Sequence, residues 1–399
     1  MADPVVQAVA EAHVGEWASV LAATARVAAD LELAEDCVQD AYAKALVHWR
    51  EQGVPARPGA WLTTVATRRA LEHRRRADVA RRKLPLLVPD EDVADETFPD
   101  DRLRLVFTCC HPALSQEARI ALTLRLVCGL SSAEIARAFL VKEATMQARI
   151  TRAKQKISRS GIPYRIPRAT DLPERIGAVL DVVHLVYAAG HTAADGDRLT
   201  RTDLGRRGVD LARMMRLLLP DTPEAAGLLA LLLLTQAREA ARVADGRLVL
   251  MEDQDRSLWD QVLIAEGLAL VPQALLRPGR FGLMAAIAAV HAAAGRWEDT
   301  DWAEILGLYD VLLSRWPSPV VALNRVVALS YVEGPEAALQ QLPDDPALAT
   351  YPYLASVRGE LLWRCGYVAE ARAAYEEALA FTTNAVEAEF LQRRITRGA

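Results

Sequence analysis

The chain has 399 residues, of which 52% are hydrophobic and 25% are charged. Its formal net charge of −5 excludes a uniformly basic nucleic-acid binder, although a basic part can be balanced by an acidic remainder. The length predicts two or three domains, and the abundance of Ala and Leu with few alternating β-branched runs predicts an all-α fold.

Cysteine spacing and the length of apolar runs bear on metal binding, membrane attachment and the cellular compartment. The five cysteines have no paired metal-ligand spacing, and Cys109, Cys110 and His111 lack the two-residue separation of structural zinc sites. No secretory signal and no apolar run of membrane-spanning length is seen. There is also no Gly-rich phosphate loop and no nucleophile–base set. We therefore expect a cytoplasmic protein with no cofactor, no metal, no membrane attachment and no enzyme activity.

The segment from Asp30 to Leu46 has the pattern of an amphipathic helix. Its apolar residues recur at helical spacing, and its polar residues occupy another side. That polar side is acidic through Glu35, Asp36 and Asp40. The sequence therefore predicts a helix with one buried face and one exposed acidic face.

A second helix is predicted after a break at residues 53–59. Trp61 and its apolar neighbours have the spacing of a buried face, and the helix ends in Arg74, Arg75 and Arg76. A basic helix end is usually a solvated terminus that complements the helix dipole. The helix-turn-helix pattern at residues 130–157, described below, makes phosphate binding the better interpretation here.

Residues 77–100 mark the first domain boundary. A basic run at residues 81–83 is followed by an acidic run at residues 90–101, and three prolines interrupt the segment. This composition favours a flexible linker over a packed element. Helical periodicity resumes at Asp101.

The stretch from Leu130 to Ile157 has the pattern of a helix-turn-helix. Ser131 and Ser132 are positioned to cap a first short helix, with Glu134 near its positive end. A tight turn follows, and a second helix starts at about Glu143. Polar side chains near the start of such a helix can contact base edges in a major groove, and cations further along can contact phosphates. Taken by itself, the same pattern also fits a solvated helix in an ordinary helical bundle.

The order of these pieces resembles an extracytoplasmic-function (ECF) RNA polymerase sigma factor. The matching pieces are the acidic helix around Ala34-Glu-Asp-x-x-Gln-Asp-Ala, the Pro-Gly-Ala-Trp-Leu helix that ends in arginines, the acidic linker and the helix-turn-helix. Within that class, Phe107-Thr-Cys-Cys-His-Pro-Ala-Leu-Ser and the long helical extension resemble the subgroup called group forty-two, whose extension contains tetratricopeptide-like (TPR-like) repeats. The resemblance implies four parts: sigma region 2 at residues 1–76, a linker at 77–100, sigma region 4 at 101–166 and a helical TPR-like domain at 167–399.

The resemblance also implies three binding surfaces for core RNA polymerase and promoter DNA. The first helix would dock on the clamp helices of the polymerase β′ subunit, and the β flap is a second expected polymerase contact. The residues implied for polymerase binding are Glu35, Asp36, Gln39, Asp40 and Lys44. Those implied for the −10 element are Trp61, Arg68, Arg69, Arg74, Arg75 and Arg76. Those implied for the −35 element are Lys142, Glu143, Thr145, Gln147, Arg149, Arg152 and Lys154.

The half of the chain after about Leu172 is predicted to be helical with weak internal repetition. Small and aromatic residues from Gly359 to Ala378 fit the spacing of a TPR helix pair, and looser pairs precede them. The apolar run from Leu228 to Leu234 is too short to span a bilayer and predicts the centre of a buried helix. Stacked helix pairs leave a concave surface, which either binds a protein partner or only covers the sigma domains.

The sequence therefore predicts a sigma factor that directs RNA polymerase to specific promoters, with the C-terminal domain modulating its activity. Two alternatives remain. A helix-turn-helix regulator that binds operators without polymerase would have no use for the acidic face of the first helix. A TPR-like adaptor would retain its N-terminal half only as a remnant.

Overall fold

The computed structural model describes residues 3–81, 100–139, 141–192 and 198–397, and side chains within these ranges except those at 77–81 and 138. The chain forms two compact units, residues 1–185 and 186–399. The described residues are mostly helical, and the strands among them are β1 (Val243–Ala244) and β2 (Arg247–Leu248), which form a small antiparallel hairpin. The predicted all-α fold is confirmed.

Three long helices begin the first unit. They are α1 (Pro4–Ala28), α2 (Leu31–Gln52) and α3 (Pro58–Arg81). Asp3 and Asp30 cap α1 and α2, since each carboxylate accepts a main-chain N–H of the first turn. The three helices pack on one another around fully buried residues such as Leu21, Trp49 and Leu62.

The second group of helices in this unit starts at an aspartate cap, Asp100. It comprises α4 (Asp101–Cys109), α5 (Gln116–Leu122), a π-helical turn (Thr123–Val127), α6 (Ser132–Ala138) and α7 (Glu143–Arg159). A capping box starts α6, because Ser131 and Glu134 each bond the other's main-chain N–H. Ile135, Met146 and Ile150 are buried and join α6 to α7. The predicted helix-turn-helix is confirmed.

Long helices also open the second unit, which starts within α8 (Leu172–His191). The next helices are α9 (Thr202–Leu218), α10 (Pro223–Gln236), α11 (Gln261–Ala274) and α12 (Arg280–Ala293). Helix α10 is buried on every side from Ala225 to Leu234, as its unbroken apolar run predicts. Its Glu224 carboxylate accepts the N–H groups of Phe281 and Gly282 and so caps α12.

Further helices complete the second unit. They are α13 (Trp302–Arg315), α14 (Pro319–Val332), α15 (Pro335–Gln340), α16 (Pro352–Arg364), α17 (Val368–Ala380) and α18 (Ala385–Thr396). Consecutive helices pack on each other from α13 to α14 and from α14 through to α18. Gly359 of α16 lies so close to the Tyr375 ring of α17 that a Cβ atom there would come within 2.8 Å of it. This contact explains the small-and-aromatic spacing in the sequence.

Two predicted boundaries change in the structure. Helix α2 continues to Gln52, six residues past its predicted end at Leu46, and α3 continues to Arg81 rather than ending at Arg76. Most of the predicted linker, residues 82–99, and Leu140 in the predicted turn lie outside the described residues. No described helix is long and apolar enough to cross a membrane.

Candidate polymerase and promoter interfaces

An exposed polar stripe runs along α2. Asp36, Gln39 and Lys44 are exposed and Asp40 is half-buried, and their spacing of three or four residues aligns them on one side of the helix. Asp40 forms an ion pair with Arg69 of α3. The structure thus brings four of the five residues predicted for polymerase binding onto one surface.

Glu35 departs from the predicted arrangement. The prediction of a position on the exposed acidic face is wrong, since Glu35 is only 2% exposed. Its carboxylate is bound by Arg125 of the π-helical turn and Lys154 of α7, and it accepts a hydrogen bond of 3.1 Å from Gln39. A carboxylate with so little contact with water requires such partners.

A shallow groove lies between α2 and α3. Its volume is about 510 Å³, and its lining includes Asp40, Lys44, His48, Trp61 and Arg69. The Trp61 ring stacks on His48 at 5.4 Å and meets Trp49 edge-on at 5.6 Å. Trp61 therefore holds α2 and α3 together while one side of it faces the groove.

Cationic side chains run along α3 beyond this groove. Arg68 is 82% exposed and lies 3.5 Å from Glu72, whereas Arg69 is held by Asp40. Arg74 donates to the main-chain oxygen of Val27 at 2.9 Å, which leaves its charge at the surface. The remaining two arginines predicted for −10 binding, Arg75 and Arg76, are also exposed.

The second helix of the helix-turn-helix, α7, presents polar side chains at its start. Lys142 precedes the helix, and Glu143, Thr145 and Gln147 follow within its first turns, all exposed. The Gln147 amide donates to the Glu143 carboxylate at 3.1 Å. Met146 points the opposite way and is buried. This end of α7 has the exposed polar surface that contact with base edges requires.

Cations further along α7 differ in exposure. Arg152 is exposed and Arg149 is half-buried. The prediction that Lys154 is free on the outside is wrong, because its side chain is 14% exposed and its ammonium binds Glu35. Lys156 is exposed but donates to the main-chain oxygen of Ala113. Among the cations predicted for −35 binding, Lys142 and Arg152 are therefore the exposed ones.

Arg125 is a charged residue that the sequence reasoning missed. It stands in the apolar run from Ala121 to Val127, and its guanidinium binds Glu35 and the main-chain oxygen of Leu130. A lone cation in an apolar run indicates a buried ion pair, since a buried charge needs a partner. The sequence does not identify that partner, which lies 90 positions away along the chain.

The adjacent cysteines lie in the core of this unit. Burial raises the pKa of the Cys110 thiol to about 11 and raises that of Cys109 well above its usual range. Both thiols therefore stay protonated at neutral pH, which disfavours metal ligation and nucleophilic chemistry. Within the described ranges, no group of three or more His, Cys, Asp or Glu side chains is arranged to hold a metal ion.

Comparison with known families matches three parts of the chain. Residues 18–80 match sigma-70 region 2, and residues 104–157 match sigma-70 region 4. Residues 175–275 match a family of unknown function, DUF6596. A curated relative, an uncharacterized protein of Rhizobium meliloti (strain 1021), is 43% identical over 384 residues, which cover 92% of this chain and 90% of that protein.

Proposed function

Because the chain belongs to the ECF-type sigma factor family and carries sigma-70 regions 2 and 4, we propose a specific division of its work in transcription initiation. As a sigma factor it binds RNA polymerase and promoter DNA. The finer proposal is that α2 binds the β′ clamp helices, that α3 acts on the −10 element, that α7 reads the −35 element, and that the second unit modulates activity.

The exposed stripe of α2 supports the proposed polymerase contact. Asp36, Gln39 and Lys44 offer charged and amide groups on one side of a well-packed helix, so binding needs little ordering of the backbone. The groove beside them adds apolar surface from Trp61. The same proposal includes the β flap as a second polymerase contact, made by the region 4 part of the chain.

Region 2 cations support the proposed action on the −10 element. Promoter opening unstacks bases at a cost of a few kcal/mol, which cationic and aromatic groups offset by holding the separated strand. Arg68, Arg75 and Arg76 provide exposed positive charge along α3. Phosphate contacts of this kind supply affinity but carry no sequence information directly.

The observation that carries the proposal most strongly is the exposed start of α7. Thr145 and Gln147 are both exposed at the beginning of a helix whose opposite face is buried by Met146 and Ile150. In a helix-turn-helix this end of the second helix enters the major groove. We propose that these two side chains choose the −35 sequence and that Arg152 binds phosphate.

The second unit is proposed to modulate sigma activity as the TPR-like extension of a group forty-two factor. The stacked helices α13 to α18 and the Gly359–Tyr375 contact support a repeat-like architecture. A chain that ends at Ile166 should lose promoter-dependent transcription in cells if the unit is required. Unchanged transcription by that shorter chain would contradict a modulating role.

A pull-down with core RNA polymerase tests the α2 assignment. Asp36→Arg should weaken association, because it reverses a charge on the exposed stripe. Glu11→Arg makes the same change on an exposed residue of α1 and is the matched control. Equal retention of both variants would contradict the assignment, and no association of the unaltered chain would favour an operator-binding regulator.

A further inference from the structure

A buried ion-pair cluster joins the region 2 helices to the region 4 helices. Glu35 of α2 is 2% exposed, and its two carboxylate oxygens are bound separately by Arg125 and Lys154. The two cations retain 20% and 14% of their side-chain exposure. Glu35 is predicted to bind polymerase and Lys154 is predicted to bind the −35 element. Because the two side chains bind each other, one residue of each candidate surface is covered in this arrangement.

Other polar contacts cross the same boundary. The Trp17 indole N–H donates to the main-chain oxygen of Leu126 at 3.0 Å, and the Tyr164 hydroxyl donates to that of Ala22 at 2.9 Å. Arg26 lies 3.2 Å from Asp101. These contacts keep the two groups of helices in one compact unit.

A cavity of about 410 Å³ lies beside the cluster, between the start of α2 and the end of α7. Its lining includes the polar residues Asp30, Glu32 and Arg159 and the apolar residues Leu31 and Ile157. The packing between α2 and α7 therefore leaves a gap here, and the ion pairs of Glu35 lie beside it.

The compact arrangement is too small to contact both promoter elements at once. By their positions the −10 and −35 elements lie about 25 base pairs apart, or about 85 Å along B-form DNA at about 3.4 Å per base pair. A compact globule of the size of residues 1–185 has a diameter of about 40 Å. The region 2 and region 4 helices must separate before α3 and α7 reach their respective elements.

We propose that Glu35, bound by Arg125 and Lys154, is an intramolecular latch that holds regions 2 and 4 in a closed form, which opens when the chain engages polymerase and promoter. This inference rests on the proposed function and describes its regulation. Opening exposes Glu35 on α2 and Lys154 on α7, where water solvates both charges and DNA phosphate can bind Lys154. Because only open chains bind polymerase, the apparent affinity is the affinity of the open form multiplied by the fraction of chains that are open.

A distance measurement on the free chain tests the latch directly. Spin labels are attached at Val14→Cys on α1 and Thr151→Cys on α7, in a full-length background that carries Cys128→Ala and Cys365→Ala. Glu35→Gln and Lys154→Gln should each shift the distance distribution to longer values and broaden it. Glu11→Gln removes an exposed charge of the same kind on α1 and should leave the distribution unchanged.

The latch would be overturned if Glu35→Gln and Lys154→Gln gave the same distance distribution as the unaltered chain and Glu11→Gln. Loss of folding is recognised separately, because a far-ultraviolet circular dichroism spectrum reports helix content in each variant. Neither polymerase nor DNA is present, so this outcome is independent of the proposed function.

Polymerase affinity separates a latch from a direct contact. Arg125→Gln and Glu35→Gln should both bind core polymerase more tightly, by about tenfold if about a tenth of the unaltered chains are open. Weaker binding by Glu35→Gln with unchanged binding by Arg125→Gln would overturn the latch and identify Glu35 as a direct polymerase contact. Absence of binding by every chain would instead reject the proposed function.

Discussion

Trp17 of α1 lies directly against Gly129, which follows the π-helical turn. A Cβ atom at position 129 would come within 3.0 Å of the indole and within 2.9 Å of His13. Gly129 also has a φ of +72°, a left-handed conformation that favours glycine. Region 2 therefore packs against region 4 at a position where glycine, which has no side chain, leaves room for the Trp17 ring.

Gly129→Ala is expected to destabilise the first unit by about 1–2 kcal/mol more than Gly161→Ala. Both glycines have positive φ, but a Cβ atom at Gly161 meets no atom within 4 Å. The control therefore measures the backbone strain alone, and the difference measures the overpacking against Trp17. Urea unfolding followed by tryptophan fluorescence gives both values, and equal values would contradict the close packing.

Gln147→Ala is expected to change sequence preference at the −35 element, whereas Arg75→Ala should weaken binding of all promoters similarly. Gln147 is exposed where α7 would enter the major groove, and Arg75 lies on the basic end of α3. Loss of a phosphate contact also lowers the salt dependence of binding by about one charge. Competition binding of a promoter library by holoenzyme at several salt concentrations measures both effects. Uniform effects from both variants would reject the assignment.

Arg68→Ala is expected to reduce promoter opening by about tenfold, the effect of losing one contact of about 1.4 kcal/mol. Its side chain is 82% exposed, so the stability of the fold should change little. Arg50→Ala removes another exposed arginine of region 2 and serves as the control. Permanganate reactivity of unpaired thymines reports opening, and equal reactivity in both variants would exclude a role for Arg68.

His291→Phe is expected to make the chain less sensitive to acid. Burial, together with the nearby Arg238 and Arg256, lowers the pKa of His291 to about 4. Between about pH 6.5 and pH 4 the unfolded chain binds a proton that the folded chain does not. The free energy of unfolding therefore falls by up to about 3 kcal/mol as the pH decreases through this range. Phenylalanine keeps a ring against Trp297 and Trp302 but does not titrate.

Urea unfolding at pH 7.5, 6.0 and 5.0 measures this difference. The gap in stability between His291→Phe and the unaltered chain should move in favour of the variant as the pH falls. Some acid sensitivity should remain, since burial also lowers the pKa of His191, to about 2. A gap that stays constant across the three pH values would show that His291 does not carry this effect.

Local signals predicted the helix-turn-helix well. Ser131 caps α6 and Glu134 lies in its first turn, as predicted, and α7 begins at Glu143 as expected. These features depend on neighbouring residues, which a single sequence contains. The end of α3 was predicted less well because Arg76 is followed by residues that extend the helix to Arg81.

The partner of Glu35 could not be predicted in the same way. Glu35 lies four residues after Leu31 and three before Val38, both buried, so the helical spacing itself indicated a buried position. Its acidic neighbours Asp36 and Asp40 favoured the exposed interpretation instead. Lys154 is 119 positions away in the sequence, and only the packed structure brings the two charges together.

Transcription in vitro with purified core RNA polymerase and a promoter library tests directly whether this chain directs polymerase to promoters. The full-length chain is expected to yield transcripts from a defined set of promoters with shared −10 and −35 sequences, whereas core enzyme alone is not. Gln147→Ala should alter that set at the −35 element. Transcription no different from that of core enzyme alone would contradict the claim that this chain directs polymerase to promoters.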